Sequence, residues 1–220
     1  MLIDSFAAPM YATNCWVLAT EPGAECVVID PGMPDVSHQL TQILDKHNLK
    51  PVAVIATHGH LDHTFSIQPI ADGYDIPTYI HSEDRAFLAH PENLHGADFV
   101  ATLSGMSFSE GRDVRELRNG QDIELVGLNF TVIHAPGHTR GSIMFEVSQE
   151  VLVSGDVLFA GSIGRTDLPT GSAKEMEETL RKKVLPLADH LRVLPGHGAD
   201  TTMAHEKKSN PYLKSLVGRY

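Results

Sequence analysis

VAVIATHGHLDHT, residues 52–64, opens as an unbroken apolar run and ends with three histidines and an aspartate within six positions: His58, His60, Asp62 and His63. A run of Val, Ala and Ile is what a strand buried on both faces of a parallel sheet requires. Side chains two apart in an extended segment point the same way, so His58 and His60 leave the strand end side by side. Asp62 and His63 follow where the chain turns into a predicted helix and can reach a second point nearby. A single imidazole is most often a hydrogen-bonded surface or core group. Four ligand-type side chains at the mouth of a buried strand point instead to metal.

The same setting recurs three times downstream. His138 lies in VIHAPGHTRGS (132–142), Asp156 in VLVSGDVLF (151–159) and His197 in RVLPGHGAD (192–200), each at or just past an apolar run. Loops leaving strand ends gather on one edge of an α/β sheet and carry its sites. Gly59, Gly137, Gly155, Gly196 and Gly198 flank these residues and let backbone and ligand approach closely. Taken singly, Asp156 reads as a turn cap and Asp62 as a helix N-cap. Together the seven candidates suit two ions better than one, since imidazole and carboxylate fill about four or five positions on each.

The remaining chain alternates strands and helices. NCWVLA and ECVVID read as strands separated by the turn signal EPGA, and DVSHQLTQILDKHN as a helix with Val36, Leu40, Ile43 and Leu44 on one face and Asp35 as N-cap. IPTYIH is a strand and SEDRAFLA a short helix. Residues 90–120, sprinkled with Gly, Ser, Asn and Pro, read as a long surface excursion. DIEL, LNFTVIHA, SIMFEV and VLVSG form a run of strands. GSAKEMEETLRKKV opens with a Ser172/Glu175 capping box, HLRVLPG is a last strand and MAHEKKSN a last helix.

Composition bounds the function. The chain has 220 residues, 42% hydrophobic and 20% charged, as expected of one globular domain spanning 1–220. A formal net charge of −11 argues against a nucleic-acid binder and gives no reason to expect an anionic membrane partner. No stretch approaches the roughly 20 apolar residues of a membrane span. The first ten residues lack the basic start and apolar stretch of a signal peptide, and only Cys15 and Cys26 occur, each in an apolar run. A reducing cytoplasm and two buried thiols are the expectation. Nothing in the residues points to an oligomeric state.

With H-x-H-x-D-H and the later strand-end ligands, the chain resembles the metallo-β-lactamase-fold hydrolases from VVIDPG to PGHG. That resemblance implies an α/β fold, a four-layer αβ/βα sandwich whose half-sheets meet at a dinuclear site. It implies that His58, His60 and His138 hold one metal and that Asp62, His63 and His197 hold the other. Asp156 would bridge them, Asp62 and Asp156 would be the carboxylates serving catalysis, and Asp30 would orient the ligand loop. Two divalent ions are implied, zinc first, with iron or manganese as alternatives.

Within that superfamily, SGDVLFAGSIGRTDLPTG and PGHGADTTMAHEKKSNPYL resemble the short glyoxalase II-like hydrolases, which cleave thioesters of small thiols. There, two dications lower the pKa of water to about 7 and so supply the nucleophile. The leaving thiolate, with an unperturbed pKa of about 8.5, departs without a strong acid. The basic residue that grips the glutathione glycine carboxylate falls on Arg165, while the tyrosines of that family are replaced by Asp167 and Ala199. Arg165 and Asp167 are therefore the candidate substrate contacts, with an ion pair between them as the competing reading. The full C-terminal helical domain that completes glutathione binding is absent or reduced to a final helix with Lys207 and Lys208, a solvated face. GRTD also resembles persulfide dioxygenases, which use one iron on the same histidines; this is the alternative to a small-molecule thioester hydrolase. The cysteine and close-set loops of antibiotic-degrading members are not recognisable, so β-lactam hydrolysis is not expected.

Overall fold

The computed structural model describes residues 1–96, 102–103 and 108–217. Alternation along the strands builds its layers. β1 (Leu2–Ala7), β2 (Asn14–Ala19), β3 (Glu25–Ile29), β4 (Lys50–Ile55), β5 (Thr78–His81) and β6 (Val114–Leu117) form one sheet in that order. β1 to β3 pair antiparallel and β3 to β6 parallel. The second sheet contains β7 (Asp122–Leu125), β8 (Leu128–His134), β9 (Ile143–Val147), β10 (Val151–Gly155), β13 (Arg192–Pro195) and β14 (Thr201–Thr202). Between β10 and β13 lies a small hairpin, β11 (Leu158–Phe159) and β12 (Ser162–Ile163). The second sheet's order, β14-β13-β10-β9-β8-β7, places β13 parallel beside β10, so the last strand enters next to the one that ends at Asp156.

Each central strand faces two cores. In β2, Trp16 and Leu18 pack between the sheets while Cys15, Val17 and Ala19 face outward. In β9, Ile143, Phe145 and Val147 turn inward and Met144 outward. The outer face of the first sheet is covered by α1 (Ser37–His47) and, beyond α2 (Leu61–Thr64), by α3 (Ile67–Tyr74). α4 (Glu92–His95) follows. The outer face of the second sheet is covered by α5 (Ala173–Thr179), its π-helical continuation Leu180–Val184, α6 (Met203–Ser209) and α7 (Pro211–Leu216). Helix, sheet, sheet, helix is the four-layer sandwich expected. Both thiols are free and buried, as their apolar settings require, and burial pushes Cys26 up to about 12.

Several expectations need correction. The N-cap of α1 is Val36, not Asp35, although Asp35 Oδ1 still accepts the Ser37 amide at 2.9 Å. SEDRAFLA contributes only one 3₁₀ turn, Arg85–Leu88. The 90–120 segment is not wholly an excursion. It contains α4, whose Leu94 is fully buried, and β6, whose Leu117 packs into the inter-sheet core. Residues 97–101 and 104–107 of it lie outside the described residues. MAHEKKSN is not the last helix: Asn210 caps α7 by accepting the Tyr212 amide, and Pro211 occupies the first turn.

Candidate metal centre

The sheets are stitched together where the ligand loops meet. The Ile143 amide donates to Thr57 O at 2.9 Å, the Asn14 amide to Gly196 O at 2.7 Å and Trp16 Nε1 to Pro195 O at 3.0 Å. β4 thus delivers His58 and His60 against the loop after β8, which carries His138. His58 Nε2, His60 Nδ1 and His138 Nε2 converge to within 2.8–3.2 Å of one another. Asp62 and His63 sit on α2, one turn further on. There Asp62 Oδ2 lies 3.3 Å from His197 Nε2 and 3.6 Å from His63 Nε2, which is itself 3.2 Å from His197 Nε2. Asp156 stands between the clusters: Oδ1 is 3.5 Å from His63 Nε2, and Oδ2 is 3.5 Å from both His138 and His197 Nε2. All seven ligand candidates therefore come together. A Cβ at Gly196 would lie 2.1 Å from Asp156 Oδ1, so only glycine lets the β13 loop close over that carboxylate.

The outer nitrogens set the tautomers. His63 Nδ1 donates to Asp30 Oδ2 at 2.9 Å, His138 Nδ1 to Arg165 O at 2.8 Å and His197 Nδ1 to Tyr11 O at 3.1 Å. The Thr57 hydroxyl gives its proton to Asp30 Oδ2 and so accepts from His58 Nδ1 at 3.1 Å. Each arrangement leaves an Nε2 lone pair facing a cluster, as metal ligation demands. Asp30 lies within ligating reach of His58 and His63 as well. Its oxygens are already engaged by the Thr57 amide, the Thr57 hydroxyl and His63, which makes it an orienting group.

Electrostatics separate the clusters. Burial, reinforced by neighbouring imidazoles, holds His58 and His60 well below the usual histidine range, so both are neutral. Burial opposes charge on His63 too, but Asp156, Asp62 and Asp30 outweigh it and raise its pKa. Burial alone would raise the Asp62 and Asp156 carboxyls; the facing histidines hold both below the ordinary range. Converging lone pairs repel without a cation between them, and Asp156 Oδ1 is buried with no hydrogen-bond partner among the described residues. Imidazoles, with His63 and His197 exchanging the protons their carboxylate neighbours favour for a cation, and ionised carboxylates are the donor set of a transition-metal dication, and these residues fit two.

Residues 8–197 match the metallo-beta-lactamase superfamily. The chain belongs to this superfamily. An uncharacterized Mycobacterium tuberculosis protein is 43% identical, covering 98% of this chain and 99% of its own. The hydroxyacylglutathione hydrolase GloC of Haemophilus influenzae is 33% identical over 98% and 99%. Among solved structures, the B3 metallo-β-lactamase BLEG-1 superposes with a TM-score of 0.84 at 33% identity, covering 96% of this chain and 99% of that one. TTHA1623, solved in a di-iron-bound form, gives 0.75 at 33%, covering 97% and 100%. ETHE1 from Myxococcus xanthus, at 24% identity with a TM-score of 0.75 over 96% and 84%, shares the fold.

On this metallo-β-lactamase scaffold a cavity of about 490 Å³ opens over both clusters. Arg165 lines it, while Asp167 is not among its lining residues. Arg165 Nε and a terminal nitrogen donate to the two Asp167 oxygens at 2.8 and 2.7 Å, and this pairing brings the Asp167 carboxyl down to about 2. Lys207 is not simply solvated, since it bonds Leu187 O and Asp189. Sequence reasoning missed several participants. Thr13 donates to Asp62 Oδ2 at 3.2 Å, and Tyr11, Phe159 and His95 line the cavity. Buried Asp84 accepts from the Gly59 amide, the Thr139 hydroxyl and the Gly141 amide, tying both ligand loops together. Asp84 lies three residues beyond β5, in a stretch that reads as an ordinary polar helix start. Only strand-end placement could have flagged it.

Proposed function

We propose that this chain is a dinuclear metal-dependent hydrolase that cleaves a thioester of a small thiol, of the S-lactoylglutathione type. The observation that carries the reading is Asp156, whose two oxygens face histidines of both clusters. The 33% identity to a relative named hydroxyacylglutathione hydrolase supports the substrate class. His58, His60 and His138 would hold one ion, Asp62, His63 and His197 the other, with Asp156 between; zinc is the proposed metal, iron or manganese the substitutes. When bound, such ions supply Lewis acidity that makes water nucleophilic near neutral pH. The chain's own contribution is to fix those ligands through Asp30, Thr57, Tyr11 O and Arg165 O. It also holds Asp62 and Asp156 ionised and walls the reacting carbonyl with the cavity. Arg165 and Asp167 border the substrate's path.

Among the described residues no helix is long and apolar enough to cross a membrane, and the proposed partner is a small molecule. The alternative, a mononuclear iron dioxygenase, keeps the same histidines, so metal count and reaction type separate the two readings. One metal-loaded sample tests these readings together. Thioester absorbance is followed with S-D-lactoylglutathione, dissolved oxygen with glutathione persulfide, and ring opening with a chromogenic β-lactam, the last because BLEG-1 is so similar. About two equivalents of metal, as this ligand count implies, and thioester loss without oxygen uptake are expected, abolished by Asp156→Ala. Oxygen uptake with persulfide and intact thioester, or β-lactam opening alone, would sink the proposal.

A further inference from the structure

The cavity over the two clusters is walled by carbon. Apart from the candidate ligands, its lining consists of Tyr11, Met33, Leu61, Phe159 and Leu168, with His95, Arg165 and the Tyr11 hydroxyl as the polar groups. Met33 and Leu61 form a buried floor, at 1% and 2% exposure. Tyr11 stands at the mouth, 56% exposed, on a backbone with φ of 62°, followed by Ala12 at 55°. A bulky residue in the left-handed region persists only where its surroundings impose it. Here Tyr11 O accepts from His197 Nδ1, and the Met10 amide donates to Met33 O at 3.1 Å. The strap that helps orient a ligand histidine thereby also presents an aromatic ring to the cavity.

Of these polar groups, His95 and Arg165 are already engaged, and Tyr11 is exposed at the outer side. His95 Nε2 accepts the Leu61 amide at 2.9 Å. Arg165 spends Nε and one terminal nitrogen on the two Asp167 oxygens, so an anionic substituent would meet a guanidinium whose charge is already balanced, on a chain of net charge −11. A hydroxyl placed against Met33 and Leu61 would lose its water without gaining a partner.

We propose that this cavity selects thioesters whose acyl group is apolar, a short aliphatic or aryl-alkyl chain, over hydroxyacyl esters. The inference rests on the hydrolase reading and revises its acyl group, from lactoyl to an apolar chain. The reaction is a balanced hydrolysis: a C–O bond forms to water, the C–S bond breaks, and the protons end on the thiol and the carboxylic acid. The chain lies along Met33, Leu61, Phe159 and Leu168, and Tyr11 closes the outer side.

Two series on the metal-loaded protein test it. The first compares kcat/KM for acetyl, propionyl, butyryl, hexanoyl and lactoyl thioesters of N-acetylcysteamine, each divided by that ester's alkaline hydrolysis rate. The second measures by calorimetry the binding of S-methyl, S-butyl and S-hexyl thioethers of the same thiol. Both should rise two- to about fourfold per methylene, the upper figure being full burial. Propionyl should exceed lactoyl, its hydroxylated counterpart, and Phe159→Ala should flatten both slopes. Flat or falling series, or lactoyl ahead of propionyl, would overturn the proposal. If no thioester is cleaved, the hydrolase reading fails; rising thioether affinity then still supports an apolar cavity, and flat affinity removes it too.

Discussion

Thr13 shows what a single hydroxyl does at this centre. It is fully buried and donates to Asp62 Oδ2, a candidate ligand of the second cluster. Thr13→Val keeps the shape and removes the donor. Loss of a partner behind a metal ligand typically lowers affinity about 10- to 100-fold. We therefore expect chelator competition on Thr13→Val to show second-cluster affinity falling about tenfold, with the first cluster changed less than twofold and Thr13→Ser close to the parent. Equal loss at both clusters would assign Thr13 a purely structural role. The ligands themselves were legible because H-x-H-x-D-H is dense and each later candidate closes an apolar run. Thr13 was not, because a threonine just before a strand carries no mark of the residue it will meet 49 positions away.

At the scale of elements, β5 and β8 meet through a pair of imidazoles. His81 stacks on His134 with ring centroids 4.2 Å apart and planes 7° from parallel. His81 Nδ1 accepts the Glu83 amide at 3.3 Å, so the ring is neutral. Burial, then the neighbouring His134, lowers its pKa from 6.5 to about 4. The folded state thus binds fewer protons than the unfolded chain across that interval, and stability falls as pH drops from 6.5 towards 4. His81→Phe retains a flat ring without the titration. Denaturant unfolding of chelated protein should show a shallower pH slope for the variant over this window; identical slopes would remove His81 from the acid response. Strands such as IPTYIH and LNFTVIHA were readable from alternation and β-branching. That their terminal histidines would stack was not, because it depends on how two sheets face each other.

For the molecule as a whole, Asp84 is the clamp between halves. Its carboxylate follows β5 of the first sheet yet accepts from Thr139 and Gly141 in the loop after β8 of the second. A Cβ at Gly141 would lie 2.5 Å from the Asp84 carboxyl carbon. Asp84→Asn replaces one acceptor by a donor facing an amide or hydroxyl donor. A cost of about 2–3 kcal/mol is expected, as for buried charged hydrogen bonds. Chemical denaturation would measure it, and weaker first-cluster metal binding should accompany it because His138 sits one residue before Thr139. Unchanged stability would mean the clamp is redundant. The layered architecture was legible through resemblance and alternation together; the placement of α4 and β6 was not, because Gly, Ser and Asn around them hide two short buried elements.

The insertion of β13 beside β10 also sets a timetable. His63 and His197 are 134 positions apart, and His197 reaches the centre only once the last parallel strand has found its slot. As the chain emerges during synthesis, the histidine-rich stretch after β4 is exposed long before its partner exists. A cation caught early has too few donors to be held tightly. Firm retention of the second ion therefore marks the final act of maturation, and a nascent chain halted before residue 192 should let that ion go.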